Sequence, residues 1–406
     1  MRILHSSDWH LGQHFMGKGR QAEHRQFLDW LVALVGREAV DAVIVAGDVF
    51  DTGAPPSYAR ELYNDFIVNL RDTGCQLVVL GGNHDSVATL GESRTLLARL
   101  ATRVVPGVCE ALEDQIMVLN QRDGTPGAVL CAIPYIRPRD VLISQAGESA
   151  ADKQLALQQA IQTHYHCLYE LAQARRDALG VPLPIVGTGH LTTVGASVSE
   201  SVREIYVGSL EAFPTNAFPP MDYIALGHIH RPQKVGGLEH VRYCGSPIAL
   251  SFDEARQQKQ VLLVDLDARG LHSVTPVEVP CFQPMISLRG SLDTLGPAMK
   301  EAATLAVDGQ QVWVEVLVTT DDYLSDLQAR LQTLTDGLPL EILRIRRERG
   351  NAATGLTANA RETLDELSLL DVFEQRLASE TLEEETQDRL RALYQQVAAD
   401  LAEDGA

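Results

Sequence analysis

The sequence is short of positive charge. Its 406 residues carry 34 Lys and Arg against 54 Asp and Glu, a formal net charge of −20, which argues against diffuse attraction to a polyanion such as nucleic acid. The deficit is uneven: residues 350–406 hold 13 acids and 4 bases, so that stretch alone contributes −9. Any polyanion site must therefore be local, and bound divalent cations would reverse the sign inside a cleft. Arg344, Arg346, Arg347 and Arg349 form the densest basic run, which reads equally well as a solvated strand end. No apolar run reaches transmembrane length. There is no C-x-x-C pair: Cys75, Cys109, Cys131, Cys167, Cys244 and Cys281 are scattered, as expected for reduced, mostly buried thiols of a cytoplasmic protein and not for a disulfide framework or a zinc finger. No cleavable signal is expected, because Met1-Arg2-Ile3-Leu4-His5 leads straight into Asp8 and His10. Repeats and low-complexity tracts are missing too. So is G-x-x-x-x-G-K-S/T: the nearest fragment, Gly17-Lys18-Gly19, lacks the loop and the hydroxyl, so any ATP dependence would have to come from a partner.

What is present reads as α/β. Apolar runs at Arg2–Ser6, Ala42–Ala46, Gln76–Leu80, Ile185–Gly187 and Tyr223–Leu226 predict strands. Between them Glu23–Val35 and Tyr58–Leu70 have helical spacing, Arg122-Asp123-Gly124 marks a hairpin, and Lys153–Leu179 reads as one long helix ending at Gly180. Tyr243–Phe252 and Gln260–Asp265 read as further strands that close the sheet. The expected architecture over residues 1–275 is a layered α/β sandwich, not a barrel. Residues 280–346 read as a small α/β accessory domain, with alternation over Val312–Val318 and a helical stripe over Asp322–Leu334. Residues 347–359 read as a linker, and 360–406 as a helical hairpin opening on Ser368-x-x-Asp371 and Thr381-x-x-Glu384 capping patterns. So short a hairpin has little core of its own and must pack back on the body or dock on another protein.

The chemistry sits where strands end. In order, the clusters are Asp8-x-His10, Gly47-Asp48-x-x-Asp51, Gly82-Asn83-His84-Asp85, Gly189-His190 and Gly227-His228-x-His230. Strands ending side by side in a parallel sheet would bring them into one crevice. Asp-x-His and His-x-His put two ligands on the same side of an extended segment. A carboxylate can bridge two cations and an imidazole cannot, which makes Asp48 the natural shared ligand. Asn83 offers a neutral oxygen that limits the charge of the site. Hard oxygens mixed with imidazoles point to a two-metal hydrolase. His84 suits a general acid or a donor to the transition state, with Asp51 to orient and charge its ring.

The ordered set resembles the calcineurin-like metallophosphoesterase superfamily. The longer strings "RILHSSDWHLGQ", "VAGDVFDTGAPPSYAR", "GGNHDSVATL", "GHLTTVGAS", "YIALGHIHRPQ" and "YCGSPIALSFDE" resemble its SbcD family, the nuclease subunits of bacterial SbcCD complexes. The likeness spans essentially the whole chain and is weakest between Glu148 and Pro184. It implies two manganese ions, one on Asp8, His10 and His230, the other on Asn83, His190 and His228, with Asp48 shared. It makes His84 the catalytic histidine and Asp51 its acidic partner. It implies an ATP-dependent double-strand DNA exonuclease and single-strand or hairpin endonuclease, acting in DNA repair, recombination and replication in the cytoplasm, at the nucleoid. The ATP would be used by SbcC, an SMC-like coiled-coil ATPase bound by the tail after Gly350. Residues 280–346 would be the capping domain that helps present DNA, and nuclease domains would pair as a homodimer within a heterotetramer. Leu11, His14, Phe15 and Tyr58 through Phe66 could contribute to that pairing, and packing accounts for them equally. Two alternatives share the core motifs: a phosphoesterase acting on a non-DNA phosphodiester or a phosphoprotein, and a metal-stabilised scaffold. Phosphoprotein phosphatases of the superfamily carry an Arg after the second Asp of G-D-x-x-D and a Glu in G-N-H-E; here Thr52 and Asp85 stand at those places.

Overall fold

The computed structural model describes residues 1–142, 149–202, 210, 212–307, 309–319 and 327–347, with Leu377 and Arg389. The expected linker (347–359) and helical tail (360–406) lie outside the described residues apart from Arg347, Leu377 and Arg389. In chain order the strands are β1 (Arg2–Ser6), β2 (His14–Phe15), β3 (Lys18–Gly19), β4 (Ala42–Val45), β5 (Gln76–Leu80), β6 (Thr102–Val105), β7 (Ile116–Asn120), β8 (Pro126–Cys131), β9 (Ile185–His190), β10 (Tyr223–Gly227), β11 (Gln233–Lys234), β12 (Val241–Tyr243), β13 (Gln260–Asp267), β14 (Gly270–Glu278), β15 (Met285–Gly290), β16 (Val312–Val318) and β17 (Leu340–Arg347).

The sandwich contains two sheets where the sequence suggested one. The first runs β14-β13-β1-β4-β5-β6 and the second β11-β12-β10-β9-β8-β7. In each, the central strands are parallel. The sheets pack face to face through Ile3, Ile44, Val78 and Leu80 on one side and Leu130, Val186, Tyr223 and Ala225 on the other. Helices cover the outer faces: Gln21–Arg37 and Ser57–Arg71 on the first sheet, Ala150–Leu179 on the second. Strands buried on both faces need continuous apolar runs, which is why Ala42–Val45 shows no alternation.

The strand expected over Tyr243–Phe252 stops at Tyr243. Gly245 there takes a φ of 79°, and Pro247 has no N–H to give a ladder. The helix expected over Asp322–Leu334 is described from Leu327 to Thr335; residues 320–326 lie outside the described set.

β15, β16 and β17 form a separate, all-parallel three-stranded sheet. Val312, Val314, Val316 and Val318 pack in one core with Leu295 and Met299 of the helix Leu292–Ala302 and with Leu327 and Leu331. The opposite face is buried as well. Trp313 stacks on Phe15 with ring centroids 5.7 Å apart and planes 4° from parallel, beside Phe252 and Met285. Phe15 is thus occupied by packing against β16, and Leu11, Tyr63 and Phe66 are core residues. Among the described residues no helix is long and apolar enough to cross a membrane.

Candidate metal centre

β1, β4 and β5 run parallel and side by side, so the loops leaving their C-terminal ends emerge together, carrying Asp8 and His10, Asp48 and Asp51, and Asn83 and His84. β9 and β10 of the facing sheet bring His190, His228 and His230 to the same place. All of these except Asp51, which is half-buried, are buried. Three overlapping sets of ligand-type atoms lie within 4.8 Å of one another: Asp8, His10 and His230; His10, Asp48 and His84; Asp48, His190 and His228.

The pairing within Asp8-x-His10 does not come from an extended backbone, as its spacing suggested. Asp8, His10, Asp48 and His228 have φ of 55°, 47°, 51° and 90°, left-handed values that cost a non-glycine residue free energy and persist only where surroundings enforce them. Here main-chain hydrogen bonds do so. Asp8 N–H donates to the Gly47 carbonyl at 3.0 Å and His10 N–H to that of Asp48 at 3.1 Å. His228 N–H donates to Asp8 Oδ1 and His84 N–H to Asp48 Oδ1, both at 2.9 Å. Asp85 is a clamp: its carboxylate accepts the N–H groups of Val49, Phe50 and Gly82 and ties the β4 loop to the β5 loop. Burial and the neighbouring Asp48 raise its pKa to about 6, against those three donors. Gly82 allows the loops to touch, since a Cβ there would fall 2.1 Å from Asp48 Oδ1.

Three of the four imidazoles have Nδ1 occupied, which leaves Nε2 as the nitrogen to offer a cation. His190 Nδ1 donates to the Ala46 carbonyl at 2.9 Å. His10 Nδ1 lies 3.1 Å from Asp51 Oδ1. His230 Nδ1 lies 2.6 Å from Ser201 Oγ and 3.3 Å from Glu254 Oε1. His10 Nε2 is buried with no hydrogen-bond partner, 3.6 Å from Asp48 Oδ2. Asn83 Oδ1 is 2.9 Å from His190 Nε2 and 3.0 Å from His228 Nδ1, and Asp48 Oδ2 is 3.2 Å from His190 Nε2. Oxygens and imidazole nitrogens converging around an orphaned buried nitrogen fit divalent cations.

The charges of the ligand set point the same way. Burial disfavours the charged His190 ring, but Asp48 outweighs it and lifts the pKa to about 9. Burial likewise opposes charge on His10, and Asp51 and Asp48 again raise it. Asp48 is held well below the carboxylate range despite its burial, by His190, His10 and His84. His84 moves the other way, lowered chiefly by burial. Its Nδ1 meets the main-chain carbonyl of Asp51 at 2.8 Å. Asp51 therefore orients His84 through its backbone, while its carboxylate faces His10.

Beside His84 opens a cavity of about 760 Å³ whose walls include Thr52, Ser86, Arg137 and Arg139. The sequence gave no sign of Glu254, Ser201 and Lys259, which surround His230. Glu254 lies inside one of the quoted strings, yet nothing in its spacing links it to a histidine 24 residues upstream.

The family model of the calcineurin-like phosphoesterases matches residues 1–232, and the chain belongs to that family. A second model, described as the type 5 capsule protein repressor C-terminal domain, matches residues 281–381. Within the family the chain falls among the SbcD nucleases, the smaller-lettered halves of SbcCD complexes. SbcD, the SbcCD nuclease component of Escherichia coli K12, is 54% identical to it over 395 residues, 97% of each chain. The SbcD nuclease of Rhodobacter capsulatus is 33% identical over 359 residues, 82% of this chain and 87% of the relative.

Proposed function

We propose that this chain is the metal-dependent nuclease subunit of an SbcCD-type complex, hydrolysing phosphodiester bonds in DNA as an exonuclease at double-strand ends and an endonuclease on single strands and hairpins, in repair, recombination and replication. The observation that carries this reading is the meeting of ligand-type side chains from two sheets around Asp48. Asp8, His10 and His230 would hold one cation and Asn83, His190 and His228 the other, with Asp48 shared and manganese as the occupant. Two divalent cations so held supply Lewis-acid polarisation of the phosphodiester and lower the pKa of the attacking water.

The chain's own groups do the rest. The Nδ1–H of His84 is committed to the Asp51 carbonyl, so Nε2 is the atom that meets the substrate. Protonated, it gives a hydrogen bond and then a proton to the departing oxygen. Asn83 contributes oxygen without charge. Burial of the ligand set excludes bulk water from the reacting centre. Arg137 and Arg139 line the adjoining cavity and give an acidic protein local positive charge where a nucleic-acid strand must pass.

ATP use falls to the partner, because this sequence carries no phosphate loop. That partner is the SbcC ATPase, bound through the 360–406 tail, with two copies of this chain paired as a homodimer on DNA at the nucleoid. Residues 280–346 serve as the capping domain. The test is hairpin DNA with manganese and the purified chain, with and without SbcC. Cleavage that disappears in His84→Ala while both metals remain bound is the expected result. Hydrolysis of a generic phosphodiester with no DNA cutting, even with SbcC present, would favour a phosphoesterase with another substrate.

A further inference from the structure

Behind His230 lies a buried charge cluster that belongs to neither the proposed ligand set nor the substrate cavity. Glu254 is fully buried and Lys259 nearly so. Glu254 Oε2 accepts from Lys259 Nζ at 2.6 Å and from the Leu250 N–H at 3.0 Å. Glu254 Oε1 accepts from the hydroxyls of Ser199, at 2.7 Å, and of Ser201. With its proton given to Glu254, Ser201 Oγ has only a lone pair left for His230, so the 2.6 Å contact to Nδ1 must be a donation from the ring. Lys259 Nζ also donates to the main-chain carbonyl of His230 at 3.2 Å. One ion pair therefore grips His230 twice, at the ring and at the backbone.

Burying such a pair is costly, and a well-packed apolar pair of the same size serves stability as well or better. Its geometry does something an apolar pair cannot: it allows one tautomer of His230 and directs Nε2 away from Glu254. We propose that Glu254 is a positioning residue for the cation held by Asp8, His10 and His230. Its carboxylate enforces the Nδ1–H tautomer and makes the ring a stronger donor, and Lys259 fixes the depth of the ring by holding its carbonyl. This inference rests on the reading of His230 as a ligand.

The experiment is manganese titration of the full chain, with nitrogen NMR of its labelled histidines in the metal-free state. Glu254→Met combined with Lys259→Met removes both charges together and so avoids stranding one. It should bind one of two manganese ions about 10- to 100-fold more weakly, leave the other unchanged, and lose the pure Nδ1–H signature of His230. Glu254→Gln keeps the shape and removes only the charge; it should weaken the same site to a smaller degree, and it carries the test if the double variant does not fold. Wild-type affinity at both sites in the variant that folds would overturn the proposal. His230→Ala separates the two levels of the argument. If it loses one ion where the Glu254 variants lose none, only the role of Glu254 falls. If it too binds two ions normally, the ligand reading falls as well.

Discussion

Asp48 touches more of the centre than any neighbour does: its carboxylate accepts the His84 N–H and lies within ion-pair distance of both His10 and His190. Asp48→Ala should therefore cost the protein both cations, and metal analysis that still finds two would refute the shared role. Gly82→Ala would drive a methyl group into Asp48 Oδ1. Overpacking of this kind costs about 1–3 kcal/mol, so calorimetry should record a lower Tm together with reduced metal content. His190 gives a pH prediction. Its pKa in the metal-free fold is raised to about 9 from 6.5. The stability it contributes through Asp48 is thus complete below pH 6.5 and fades as pH climbs through 9. Melts of chelated protein should show that loss, and His190→Gln should not. Manganese needs the unprotonated ring, so its affinity should rise over the same interval. Most residues of the centre were legible because strand-end clusters repeat five times in the sequence. Glu254 was not, since a lone acid gives no sign of the histidine it will face, and the left-handed backbone of Asp8 and His10 leaves no trace in residue type.

β16 shows how much of an element its own pattern discloses. Alternation of Val312, Val314, Val316 and Val318 with other residues predicted a strand, and the valines do share one core. The pattern gave no hint that Trp313 would be stacked on Phe15, because the partner lies almost 300 residues away in the chain. Arg344 was readable only as part of a basic run. It pairs with Glu315 at 2.5 Å and with Glu200 at 3.6 Å, so it joins β17 to the segment that carries Ser199 and Ser201. Trp313→Ala should cost on the order of 3 kcal/mol, by comparison with buried aromatic truncations. Because it strips the packing between β16 and Phe15 rather than the valine core, the loss should appear as faster proteolysis near residue 280 with metal content unchanged. Cleavage no faster than in the wild type would show that the ion pairs of Arg344 suffice to hold this sheet.

At the scale of the whole molecule, the layered α/β class was evident from strands alternating with helices, whereas the division into two facing sheets was not. Hydrophobic runs identify buried strands without saying which sheet receives them, and β13 returns to β1 from more than 250 residues away. The proposed division of labour is testable at this scale. Removal of everything from Ser368 onward should leave manganese binding and simple phosphodiester hydrolysis largely intact and abolish co-purification with SbcC. A truncated chain that still brings SbcC down would transfer the docking role to the body.

Asp8, Asp48 and Asn83 belong to one sheet and His190, His228 and His230 to the other, so the order of synthesis separates them. As the polypeptide leaves the ribosome, its acidic and amide groups emerge first and wait for the histidines, the last of which is braced by residues later still. A product of early termination, or one clipped between the sheets, carries half a grip and no means of cutting the chromosome beside which it was made.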